Sequence, residues 1–106
     1  MIRIIKTLEA RSIDLADGIW IPLPLVPGTG TIERSDKQED AGRLATMKLS
    51  ATLSSAPDIA RDALELKVTF CDGREEICGS EDLPLRLSVT ETEIVRISCA
   101  WDHPLF

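Results

Sequence analysis

An all-β fold is what this sequence predicts, and three observations carry the expectation. Apolar and polar residues alternate with a period of two through several separate stretches, these stretches are short and bounded by turn formers, and only one brief segment has a helical look. About six to eight strands in one chain imply an antiparallel β-sandwich or small β-barrel, with one short helix near residues 57–63. A chain of 106 residues has room for a single β domain, and size excludes a two-domain enzyme. With 43% apolar and 28% charged residues, 6 Gly and 6 Pro, the composition is that of a globular protein and not of a disordered tail or fibrous repeat.

Taken in order, residues 2–8 and 19–21 read as strands separated by a turn that Asp14, Asp17 and Gly18 suit. In Ile21-Pro22-Leu23-Pro24-Leu25-Val26-Pro27 each proline fixes φ and withholds a ladder donor, so the run belongs at a sheet edge or in a loop. Residues 33–42 carry charges of both signs and almost nothing apolar, the pattern of a flexible charged loop. Ala45, Met47, Leu49, Ala51 and Leu53 then alternate with Leu44, Thr46, Lys48, Ser50 and Thr52, a half-buried strand over residues 43–53. Pro57 at a first-turn position, Ser55 as a cap and Asp58 at the positive end give residues 57–63 their helical reading.

Leu64, Leu66, Val68 and Phe70 form the next alternating face, and Asp72-Gly73 follows as a two-residue hairpin turn. That turn sets Phe70 opposite Glu75 and Val68 opposite Ile77 in a returning strand over residues 74–78. It also sets Cys78 opposite Lys67, roughly 13 Å from Cys71 along the strand and beyond disulfide reach. Leu85, Leu87 and Val89 mark another strand, and Val95, Ile97, Cys99 and Trp101 share one face of the last, so that the final three strands make a meander.

The chemistry these residues offer is sparse. A formal charge of −6 argues against nucleic acid, whose phosphates need a cationic face. No window approaches the apolar length that spans a bilayer, so no membrane partner is expected, and without an export signal the cytoplasm of the producing cell is the expected location. The lone histidine, His103, stands close to the chain end, a poor place for a catalytic base. Cys71, Cys78, Cys99 and His103 are a chemically acceptable zinc set, but they lack the short Cys-x-x-Cys turns of a zinc site and read as free thiols or small buried hydrophobes. Gly28-Thr29-Gly30-Thr31 has neither the Lys-Ser/Thr of a phosphate loop nor a long helix behind it. Paired carboxylates such as Glu75-Glu76 read as solvated faces. The chain is therefore expected to be no enzyme and to carry no catalytic, cofactor-binding or metal-binding residues.

What remains is surface for contact. Trp20, Ile21, Leu23, Leu25 and Val26 lie in an extended, proline-stiffened segment, and such segments bind with little further loss of entropy. The same residues would serve equally to cover the protein's own sheet edge. Trp101, Leu105 and Phe106 at the other end of the chain pose the same choice, docking on self or on a neighbour. Protein partners or self-association are expected.

Several local patterns add a family resemblance. Glu39-Asp40-Ala41-Gly42-Arg43-Leu44 before a long strand, Ala56-Pro57-Asp58, Phe70-Cys71-Asp72-Gly73-Arg74 and Gly79-Ser80-Glu81-Asp82-Leu83-Pro84-Leu85-Arg86-Leu87 together resemble small β-rich proteins encoded among prophage structural genes, near tail components. The resemblance spans roughly residues 39–90 and rests on turn and strand signatures. It implies a non-enzymatic structural or assembly protein, a tail- or neck-associated subunit acting through β-edge and loop contacts and located with the virion. The competing expectation is a monomeric β-sandwich binding module for a protein or small ligand.

Overall fold

A computed structural model of the chain describes residues 2–14, 18–39, 42–80 and 84–105. Its elements are β1 (Ile2–Ser12), β2 (Ile21–Pro22), β3 (Thr31–Glu39), β4 (Gly42–Leu53), β5 (Leu64–Phe70), β6 (Glu75–Cys78), β7 (Ser88–Glu91) and β8 (Val95–Leu105). All pair antiparallel along the path β6-β5-β1-β3-β4-β8-β7, with β2 beside β1. The protein is all-β, as its two-residue period predicts.

β1 organises the sheet because its edges serve different neighbours. One edge pairs with β5 from Ile5↔Phe70 to Ser12↔Leu64, with a register shift between Ile5 and Thr7. The other pairs with β3 at Ile2↔Glu33 and with β2 at Ala10↔Ile21. Between these two contacts the proline-rich segment crosses to β4: Val26 N–H donates to Thr52 O (2.9 Å) and Ser54 N–H to Pro24 O (2.9 Å). Pro22, opposite Glu9 and next to the Leu23–Leu8 hydrogen bond, turns its missing N–H away from β1, where it does least harm. At the far side, Leu64 and Leu85 exchange two backbone hydrogen bonds of 3.0 Å, and Leu87 N–H donates to Arg61 O (2.7 Å), carrying the chain from β5 towards β7.

The core lies on the concave face and is built from the alternating sets. Ile5, Leu8 and Ala10 of β1, Leu49, Ala51 and Leu53 of β4, Leu64, Leu66, Val68 and Phe70 of β5, and Ile97 and Cys99 of β8 are buried together with Leu23, Ile32, Leu85 and Leu87. Among the described residues no polar or charged residue is buried. Burial of such a set at roughly 25 cal/mol per Å² of apolar area is the main force holding the sheet curled.

Four expectations are corrected. First, residues 57–63 run as bends and none of the described residues is helical. The carbonyls of Arg61 and Ala63 accept from Leu87 and Ile13 instead of from the chain ahead, and Ala63 stands at φ 55°, which ends any helical run. Second, the hairpin after Phe70 slips by one residue: Val68 pairs with Glu76 and Lys67 with Ile77. Its loop has three residues, with Gly73 at φ 90° and Gly73 N–H donating to Phe70 O (2.9 Å), the turn-plus-bulge arrangement that a left-handed glycine permits. Third, residues 33–39 are strand and not loop, since β3 pairs with β4 from Thr31↔Ser50 to Glu39↔Gly42. A ladder partner supplies the backbone bonds that an exposed, charged sequence does not advertise. Residues 40–41 of that expected loop lie outside the described residues. Fourth, β6 and β7 stand at opposite ends of the path instead of adjoining in a meander.

Candidate functional site

The antiparallel registers fix which backbone groups face which neighbour, because opposed pairs alternate between exchanging hydrogen bonds and pointing them away. Ile5 N–H donates to Gly30 O (2.8 Å), so Ile32 turns its backbone to β1 while Thr31 and Glu33 turn theirs to β4. Carried across β4, the same phase directs the backbone groups of Cys99 and Trp101 to β4 and those of Ala100 and Asp102 away from it. β7 covers that outward edge only as far as Ser88↔Ser98. On the other side, Phe70 N–H donates to Arg74 O (2.8 Å), which directs Glu76 and Cys78 to β5 and Glu75 and Ile77 outward.

Among the described residues the outer edge of β6 and that of the far half of β8 have no partner strand, and both border the same depression. It has a volume of about 440 Å³ and is lined by Met47, Glu76, Ile77, Cys78, Gly79, Ser80 and Trp101. No Cα of β6 comes within 8 Å of a Cα of β8, so the two edges do not meet. Met47 and Trp101 are register partners on the concave face and, like Cys78, pack at the margin of the core. Arg3 holds Glu76 of this lining: its guanidinium lies 3.5 Å from the centre of the Phe70 ring, and its Nη1 is 2.8 Å from Glu76 Oε1.

The thiols near the seam favour their protonated form. Burial, then the nearby Glu76 and Cys99, push the Cys78 thiol up to about 12. Burial also raises Cys99, against the lowering effect of a hydrogen bond from the Arg86 backbone. Both thiols stay protonated near neutral pH, whereas a nucleophilic or metal-binding cysteine must be a thiolate. Cys71 is free and exposed at the hairpin turn, and no cluster of three His, Cys, Asp or Glu side chains forms among the described residues. The seam offers apolar contact and backbone hydrogen bonding.

The expected contact residues are dispersed. Trp20 is half-buried on the convex face, its ring 4.4 Å from the Arg11 guanidinium and 5.7 Å from Lys67 Nζ. Arg11 is itself anchored by Glu65, 2.8 Å away. Ile21 is exposed, whereas Leu23 is only 6% exposed and belongs to the core, and Leu25 packs against the core while bridging Leu53. Val26 is half-buried against β4. Alternate residues of an extended strap face alternate ways, so the strap has one side in the core and one in water. Trp101 lines the seam, the side chain of Leu105 and the whole of Phe106 lie outside the described parts, and Trp20 and Trp101 belong to different faces. A second depression, of about 580 Å³, includes Ile19, Ile21, Ile59 and Leu64. Met47, Cys78 and the Arg3–Phe70–Glu76 set were not legible as a site, since only the curl of the sheet brings β6 to face β8.

No family model matches the chain, and comparison with curated proteins and with solved structures finds no significant similarity.

Proposed function

We propose that this chain is a small, barrel-like, non-enzymatic structural or assembly protein that works through its sheet edges. The barrel reading is supported by the Leu64–Leu85 bridge, through which the hydrogen-bonded path turns back on itself. The observation that carries the functional reading is a three-stranded tongue: among the described residues β3 from Ser35 onward pairs with β4 alone and β8 beyond Ser98 has no β7 beside it, so β3, β4 and β8 continue together. Its two open edges suit contacts between subunits. The more particular reading, a tail- or neck-associated prophage subunit, rests on the motif resemblance over residues 39–90.

Light scattering at rising protein concentration tests the assembly role. The mass is expected to climb above the 11.7 kDa of one chain. Asp36→Pro, which removes an N–H directed at the open edge and none that serves β4, is expected to reduce that climb while leaving the fold intact. A constant single-chain mass would overturn self-assembly and favour the monomeric binding module.

A further inference from the structure

We infer that the seam between β6 and β8 captures an extended segment of another protein, with apolar side chains alternating with basic ones. The inference rests on the edge-contact reading above and narrows it to one place and one kind of partner. Its first support is spacing. Paired strands lie about 4.8 Å apart, so two edges separated by one missing strand stand nearly 10 Å from each other. β6 and β8 line one depression with no Cα pair inside 8 Å, which excludes direct pairing and sets the two edges farther apart than neighbouring strands.

The second support is the direction of the free groups. Glu75 and Ile77 on one side and Ala100 and Asp102 on the other point their backbone donors and acceptors into the gap. Because β6 and β8 run in opposite senses along the path, an inserted strand pairs antiparallel with one and parallel with the other. The third is the chemistry of floor and rim. Met47, Cys78 and Trp101 form an apolar floor for every second side chain of the insert, while Glu75 and Asp102 on the flanking strands are exposed carboxylates that favour cations on the alternate positions. The −6 charge of the chain acts in the same direction. Every described strand of this chain already has a partner, so a second copy has no spare strand of this pattern among its described residues.

The probe is an acetylated, amidated hexapeptide of alternating valine and lysine, added to the full chain and followed by amide hydrogen exchange. Exchange at Ile77, Ala100 and Asp102 is expected to slow by about tenfold or more. The same peptide N-methylated at alternate amides, which cannot complete both ladders, is expected to give no protection, and a valine–glutamate peptide to give less. Ala100→Pro removes a seam-facing N–H and none that serves β4, and is expected to abolish protection while the near-ultraviolet dichroism of Trp101 persists; should that variant not fold, the N-methylated arm decides with the wild-type chain. Protection that is absent, equal with the N-methylated or valine–glutamate peptide, or present without peptide and rising with protein concentration would overturn the inference. The last outcome would place a second copy in the seam. Self-association measured by mass alone leaves this test untouched, so the two readings fail separately.

Discussion

Gly73 and Gly79 both have left-handed backbones, at φ 90° and 92°, yet their surroundings differ. A Cβ at Gly73 would meet nothing within 4 Å, whereas one at Gly79 would lie 2.8 Å from Leu64 O and 2.9 Å from Leu85 Cγ. Gly73→Ala is expected to destabilise by about 1 kcal/mol, the conformational penalty alone. Gly79→Ala is expected to exceed about 2 kcal/mol, because it also disturbs the Leu64–Leu85 bridge. Urea unfolding of the two variants checks the order. The buried thiols give a pH signature. Cys78 and Cys99 are raised above the ordinary 9.0, so between about pH 9 and 12 an unfolded chain releases protons that the folded chain keeps. Stability is therefore full below about pH 9 and falls as the pH rises towards 12. The unfolding midpoint is expected to drop between about pH 8 and pH 10.5, less steeply in Cys78→Ala, and an unchanged slope in that variant would contradict the assignment.

At the scale of the element, the strap over residues 18–30 shows how a sequence hostile to sheet formation is held in one. Pro22 lies beside β1, Leu23 anchors the strap in the core, and Thr29 Oγ1 donates to Val26 O at 2.7 Å. Trp20 holds the outside by stacking against Arg11 and Lys67. Trp20→Ala is expected to cost about 1–2 kcal/mol and to speed amide exchange at Leu23, whose N–H donates to Leu8 O (2.9 Å). Unchanged exchange there would mean that Leu23 alone secures the strap. β8 manages its own open edge in a related way: Pro104, in register with Leu44, falls in the phase whose backbone faces outward, where it has no N–H to offer. That blunts the far end of the edge and leaves Ala100 and Asp102 as its donors.

At the scale of the whole molecule, two of the longest pairings join distant parts of the chain. β1 pairs with β5 and β4 with β8, each across about half the sequence. Loop closure must precede the contacts that reward it, so refolding is expected in the range of milliseconds to seconds, and a stopped-flow phase complete within microseconds would contradict this topology. The molecule is elongated, 41 × 32 × 29 Å, and its longest strand, β4, is the middle strand of the tongue. Curling the sheet without closing it between β6 and β8 leaves a gap bordered by two edges that have no partner strand among the described residues.

The sequence by itself determined the all-β class, the strands over 43–53 and 64–70 and their inward faces, because a two-residue period is a local property of half-buried strands. It also confined the prolines to a sheet edge or a loop, since a missing N–H is a fact of the residue. It left the strand character of residues 33–39, the three-residue turn at Gly73 and the absence of a helix at 57–63 to tertiary structure, because each depends on which distant carbonyl or N–H becomes available. The seam is the furthest case: Met47, Cys78 and Trp101 are unremarkable core-margin residues one by one, and only the curvature that sets β6 against β8 makes them neighbours.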